Sequence, residues 1–192
     1  MLNRGMLVDT NILSQTMKVR PDPAILDWLF MGPKLIISHP VIYEIEWGAR
    51  KQMRADPERA AKILAWLDDL IDKAKYDIPP PTAALTRLQA RMSEVPELSH
   101  LGTPRFGKRR RPPGQDVAIA AYAITYNLPI ATLDTQDFAL IHRHFPLPGL
   151  FDPSIRWWAV PSSASARVRR TLATAEDRYE PHYELHRYAC VY

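Results

Sequence analysis

Cysteine is all but missing from this 192-residue chain: its one thiol, Cys190, stands close to the C-terminal end. One thiol builds no internal disulfide framework, and no Cys/His zinc pattern can be assembled around it. A disulfide-stapled secreted domain and a structural zinc module are both excluded. Long apolar runs are missing too. No stretch approaches the roughly 18 consecutive apolar residues of a membrane span, and the N-terminal segment meets Asp9 before any signal core has formed. The expectation is a cytoplasmic protein with no membrane partner. Glycine is sparse, 7 residues against 18 prolines, and seven of those prolines fall between Pro79 and Pro113. Such clustering marks an irregular connection. Excess charge of one sign is also slight: the formal net charge is +4. That is too little to establish a nucleic-acid partner and enough to keep one in view. What is present in quantity is core material. Hydrophobic residues make up 46% and charged residues 24%, which argues against wholesale disorder.

Short apolar runs alternate with helical patterns along the chain. Met6-Leu7-Val8 reads as a buried strand ending at Asp9, followed by a helical turn or two from Thr10 to Met17. Pro21 and Pro23 break that turn, and a short helix runs from Ala24 to Phe30. Leu35-Ile36-Ile37 is the second strand; Pro40 then opens a helix carrying Val41, Ile42, Ile45 and Ala49 at helical spacing. Asp56-Pro57-Glu58 starts a helix that continues to about Ala74. Tyr76-Asp77-Ile78 is a weak third strand, stopped by Pro79-Pro80-Pro81, and Thr82 caps a helix to about Met92. Ser93 to Gln115 reads as one long connection. Asp116 begins a clear helix, Leu128 to Leu133 is a buried strand ending at Asp134, Gln136 to Ile141 is a short helix, and Ile155 to Val160 is a last strand. This alternation predicts an α/β fold: a three-layer α/β/α sandwich around a mostly parallel, about five-stranded sheet. The domain is expected over residues 1–160, with 161–192 as a C-terminal extension.

In an open parallel sheet, ligands bind beyond the carboxyl ends of the strands. Asp9 and Asp134 directly follow strands. Asp116 opens the helix that leads into the strand before Asp134, and Glu44 lies one turn into the helix after the second strand. Strand ends share one edge, so acids far apart in sequence can converge there. Each acid alone has an ordinary explanation. Asp9, Asp116 and Asp137 are good helix caps, and Glu44 is the kind of acid a helix shows to solvent, with Glu46 as its competitor. Gathered together they would repel, and such a cluster calls for a cation or raised pKa values. An all-oxygen donor set favours Mg²⁺, with Mn²⁺ as a substitute, and points to metal-assisted phosphodiester hydrolysis.

Four local words lift these acids above the ordinary. They are Leu7-Val8-Asp9-Thr10-Asn11-Ile12-Leu13; Ile37-Ser38 with Val41-Ile42-Tyr43-Glu44-Ile45; Gln115-Asp116-Val117-Ala118-Ile119-Ala120-Ala121; and Ala131-Thr132-Leu133-Asp134-Thr135-Gln136-Asp137-Phe138. In that order and spacing the chain resembles PIN-domain ribonucleases, in particular VapC-like toxins of type II toxin–antitoxin modules, over roughly residues 5–160. The resemblance implies a Mg²⁺-dependent endoribonuclease in which Asp9, Glu44, Asp116 and Asp134 are catalytic. It implies metal ligation by Asp9, Asp116 and Asp134, with Asp137 as an accessory acid. It also implies supporting roles for Thr10 and Asn11, which would orient Asp9, for Thr132, which would position substrate or water, and for Ser38. The partners it implies are an RNA substrate, a cognate antitoxin, a second copy in a homodimer, and operator DNA reached only through the antitoxin.

Two segments depart from the family pattern. The connection before Asp116 is unusually long and basic, and the last 30-odd residues have no obvious counterpart. Arg105, Lys108, Arg109, Arg110 and Arg111 place five positive charges and no acid in seven residues. Beside a phosphodiester-cleaving site they would contact RNA phosphates; as a bare charge run they would be a solvated loop. The five proposed site acids carry −5, which leaves +9 on the rest of the chain. Two other readings compete with the nuclease. One is a weakly catalytic or non-catalytic PIN domain that acts with its antitoxin as a DNA-bound regulatory complex. The other is a receiver-like or phosphatase-like fold. It is disfavoured because Asp9-Thr10-Asn11 lacks a second acid and no lysine stands near Asp134.

Overall fold

The computed structural model describes residues 5–72, 76–102 and 114–162. Five short strands form one sheet: β1 (Met6–Val8), β2 (Leu35–Ile36), β3 (Ile130–Ala131), β4 (Leu150–Asp152) and β5 (Trp157–Val160). Their order across the sheet is β2-β1-β3-β4-β5. The first four are parallel; only β5 runs antiparallel, against β4. Leu7 lies opposite Ile36 on one side and Ile130 on the other, and Ile130 lies opposite Leu150. All four side chains are buried. Strands covered on both faces read as continuous apolar runs, and for this reason Met6-Leu7-Val8 was legible without alternation. Gly5 leads into β1 at φ +72°, and a Cβ there would stand 2.6 Å from the Lys34 carbonyl oxygen, so the chain can approach β2 only as glycine.

Among the described residues, α-helices α1 (Thr10–Leu13), α2 (Pro23–Met31), α3 (His39–Gln52), α4 (Pro57–Asp72), α5 (Ala83–Ser93), α6 (Ser99–Gly102), α7 (Asp116–Tyr126) and α8 (Thr135–His144) connect the strands. Parallel crossovers are right-handed. The β1–β2 crossover therefore puts α1 and α2 on one face of the sheet. The β2–β3 and β3–β4 crossovers run the other way and put α3 to α8 on the opposite face. On the first face, Trp28 of α2 meets Phe151 of β4 at a ring distance of 5.9 Å, and Phe151 meets Trp158 at 4.9 Å. On the second face, α7 is flanked by α3, α5, α6 and α8. That burial explains its composition: Val117 to Ala123 are all buried, and a helix surrounded by others is apolar all round.

Start signals sit where the sequence places them. Asp22 accepts from the Ala24 N–H at α2, and Thr82 accepts from the Leu85 N–H at α5. Four points need correction. Tyr76-Asp77-Ile78 is no strand; Asp77 makes one isolated parallel bridge to Ile36. The prolines at 79–81 have no N–H to extend the ladder. The connection from Ser93 to Gln115 is not structureless throughout. A 3₁₀ turn at Pro96–Leu98 and helix α6 occupy its first half, because Leu98 and Leu101, three residues apart, both enter the core. Strand β4 went unseen; it is three residues long, hemmed by Pro148-Gly149 and Pro153. The last strand begins at Trp157 rather than Ile155, with Arg156 at φ 51° in the turn before it. Among the described residues, no helix is long and apolar enough to cross a membrane. The expected extension 161–192 lies outside the described residues from Ser163 onward.

Candidate active site

The chain moves from β1 outward to β2, then returns past β1 to β3. Strand order thus reverses between β1 and β3, and the loops leaving those two strands part there to open a crevice. Asp9 follows β1 and is an extended residue with φ −79° and ψ 157°; Thr132 and Asp134 follow β3.

Two short stretches, Asp9–Asn11 and Thr132–Asp134, are sewn together across this crevice. Asp9 is only 5% exposed. Its Oδ1 accepts from the Thr10 N–H at 2.6 Å, and its Oδ2 accepts from the Thr132 hydroxyl at 2.7 Å. Thr132 Oγ1 in turn accepts from Asn11 Nδ2 at 3.1 Å and from the Asp134 N–H at 2.9 Å. Asn11 Oδ1 accepts from the Leu133 N–H at 3.1 Å. The Asp9 N–H donates to the Ala131 carbonyl at 3.0 Å. The fully buried Thr132 hydroxyl is therefore the hub: one donated and two accepted bonds use its whole capacity.

Glu44, half-buried on α3, is drawn into the same place. Its Oε2 accepts from the Thr10 hydroxyl at 2.6 Å. Its competitor Glu46 instead pairs with Arg50 on the solvent side of the helix. Asp116 is the first residue of α7, with Gln115 as the cap, and Asp137 lies in the first turn of α8. Asp134 precedes α8 and is exposed.

Electrostatics show that these acids share one field. Burial pushes the Asp9 carboxyl up to about 6, against the hydrogen bond from Thr132, and Glu44 and Asp134 raise it further. Asp116 is pushed up to about 8, first by burial and then by Asp9, Asp137, Asp134 and Glu44. Asp137 is raised by burial and by Asp134, and lowered by His100. Acids separated by up to 128 positions in sequence, Asp9 to Asp137, thus lie near enough to raise the Asp9 and Asp116 carboxyls. Hydrogen bonds join Asp9, Glu44 and the Asp134 backbone to the Thr10 and Thr132 network.

The supporting residues act somewhat differently from expectation. Thr10 holds Asp9 through its backbone and Glu44 through its side chain. Asn11 reaches Asp9 only through Thr132. Ser38 is fully buried at the start of α3, and its hydroxyl makes no hydrogen bond with any described residue. Arg105, Lys108, Arg109, Arg110 and Arg111 lie outside the described residues. His100 escaped the sequence reading. It stands on α6, in a segment read as loop, and nothing in its local pattern distinguishes it from a surface histidine.

The donors around the crevice are carboxylates and hydroxyls, which suit a hard divalent cation. Among the described residues no three His, Cys, Asp or Glu side chains stand in ligating positions around one point. Mg²⁺ does not require three, since it keeps several waters and is commonly held by one or two carboxylates. Burial and the neighbouring acids Asp9, Asp137, Asp134 and Glu44 all push the Asp116 carboxyl upward, and a bound cation would relieve that repulsion.

Residues 6–143 match the family model described as the PIN domain. No curated protein matches the chain in sequence at a significant level. Solved structures match in fold. FitAcB from Neisseria gonorrhoeae is 20% identical, with 77% of this chain and 97% of that chain covered and a TM-score of 0.56. VapBC-1 from nontypeable Haemophilus influenzae is 16% identical, covering 78% and 98%, with a TM-score of 0.52. VapBC2 from Rickettsia felis, bound to a DNA fragment from its promoter, is 20% identical, covering 70% and 91%, with a TM-score of 0.51.

Proposed function

Because the chain belongs to the PIN-domain family, we propose that it is a Mg²⁺-dependent endoribonuclease and the toxin of a toxin–antitoxin pair. The observation that carries this reading is the hydrogen-bonded set of Asp9, Thr10, Glu44 and Thr132 where the strand order reverses, supported by the raised Asp9 and Asp116 carboxyls. Asp9, Asp116 and Asp134 would hold the cation, with Asp137 accessory, and Mn²⁺ would substitute. When bound, such an ion supplies a Lewis acid for a phosphodiester oxygen and makes a nearby water more acidic.

The chain's own residues do the rest. Thr132 and the Thr10 N–H fix both oxygens of Asp9, which keeps the carboxylate from turning toward bulk water. The Thr10 hydroxyl fixes Glu44 through Oε2, which leaves Oε1 without a bond from Thr10. Asp116 keeps a proton at neutral pH until positive charge enters the crevice. Asp134 is exposed and so would be open to an incoming RNA phosphate. Arg105 and Lys108 to Arg111 supply phosphate contacts that bind RNA without regard to sequence. The antitoxin and homodimer partners rest on the family and on the fold shared with FitAcB and VapBC-1.

Incubating the purified protein with cellular RNA and Mg²⁺ tests the reading. The wild type should release discrete fragments, and chelation or Asp9→Asn should abolish them. Equal cutting by wild type and Asp9→Asn would overturn the assignment. One alternative is a weakly catalytic domain that works with its antitoxin as a DNA-bound complex. It is favoured by the promoter DNA bound to the Rickettsia felis structure. Calorimetry separates the two: absence of Mg²⁺ and Mn²⁺ binding supports the alternative.

A further inference from the structure

Glu44 and Asp116 sit on different helices, α3 and α7, and the crevice works only if those helices hold a fixed relation. Packed rings bridge the two helices. His39, the first residue of α3, stacks on Tyr122 of α7 with ring centres 6.2 Å apart and planes 22° apart. Tyr122 stacks on Tyr126, one turn on, at 6.0 Å and 20°. The Tyr126 hydroxyl donates to the Pro80 carbonyl, which ties the stack to the proline run before α5. Tyr122 is the middle ring and is only 2% exposed, while its hydroxyl has no hydrogen-bond partner among the described residues. A phenol buried with an unmet hydroxyl costs stability. Its retained contribution here is the flat ring, not the polar atom.

We propose that the His39–Tyr122–Tyr126 stack positions the acid-bearing helices, with Tyr122 as the positioning residue. It sets the start of α3, five residues before Glu44, against α7 six residues beyond Asp116. Aromatic pairs have a few preferred geometries, offset-stacked or edge-to-face, so a ring pair held in one of them resists small slides and tilts. An aliphatic side chain of similar volume would fill the space without fixing the angle. This inference rests on the nuclease reading for its activity readouts, and has one readout that does not.

Three measurements on Tyr122→Phe and Tyr122→Leu test it. Tyr122→Phe keeps the ring and should retain Mn²⁺ affinity and kcat. Tyr122→Leu should still unfold cooperatively, yet lose about tenfold in Mn²⁺ affinity and in kcat, with KM little changed, as for other residues that orient ligands from behind. The third readout is the distance between spin labels on α3 and α7, measured in proteins with Cys190→Ser. Its distribution should broaden in Tyr122→Leu and stay narrow in Tyr122→Phe. A folded Tyr122→Leu protein with wild-type kcat, Mn²⁺ affinity and label distances would overturn the proposal. So would Tyr122→Phe failing as badly as Tyr122→Leu, since the ring would then not be the agent. If the wild type binds no Mn²⁺ and cuts no RNA, the nuclease reading fails, and the label distances alone decide whether the stack holds the helices.

Discussion

Thr132 shows how much can depend on one hydroxyl. Itself fully buried, it donates to the buried Asp9 and accepts from Asn11 and from the Asp134 N–H nearer the surface. Replacing it with valine keeps the shape and leaves three groups short of a partner. Thr132→Val should cost about 1–3 kcal/mol of stability per buried group left unsatisfied, read from urea unfolding without metal. It should also weaken Mn²⁺ binding by about tenfold or more, because Asp9 loses the bond that orients it; unchanged affinity by calorimetry would contradict that role. Asp9 itself was legible as a residue that ends a strand. Its partner was not, since the two are 123 positions apart and only the meeting of β1 and β3 brings them within 2.7 Å. His100 was invisible for the same reason: its importance lies in proximity to Asp137, which no local pattern encodes.

At the scale of the element, α7 was the easiest to see and carries the most. Its run of Val, Ala and Ile marks a buried helix, and Asp116 at its start lies near the site. Its end depends on Asn127, which adopts the left-handed conformation at φ 52° and lets Leu128 turn back, with its N–H on the Ala123 carbonyl at 2.9 Å. Asn127→Gly should therefore leave stability unchanged or slightly higher. Asn127→Ala should cost about 1 kcal/mol, the penalty of a Cβ in that region; chemical unfolding of both variants checks the order. Elements set by their own residues, such as the capped helices α2 and α5, matched expectation closely. Elements set by neighbours did not. Strand β4 exists because β3 and β5 flank it, and α6 exists because Leu98 and Leu101 find the core against α7.

The whole molecule bears the cost of collecting acids. Asp9 at about 6 and Asp116 at about 8 both lie above the ordinary 3.8, so the folded protein holds their protons more tightly than the unfolded chain does. Their contribution to stability is complete below the unfolded value and is lost as pH rises through the folded ones. Without metal, the midpoint of thermal unfolding should fall from about pH 5 to about pH 9. Asp116→Asn should flatten the upper part of that fall, and Mg²⁺ should restore stability at the alkaline end and release protons below about pH 8, where Asp116 still holds one. A metal-free profile that rises over this range would contradict the crowding of acids. Charge and composition alone determined that a core forms, that neither zinc nor disulfides organise it, and that strands alternate with helices, because hydrophobic period and cap chemistry are local properties. The four motif words determined which acids to watch. Only the tertiary structure decided that Glu44 and not Glu46 joins them, that Thr132 is the hub, and that aromatic rings link α3 to α7. Those facts depend on sheet order and helix packing, which bring residues tens of positions apart into contact and which no window of sequence contains.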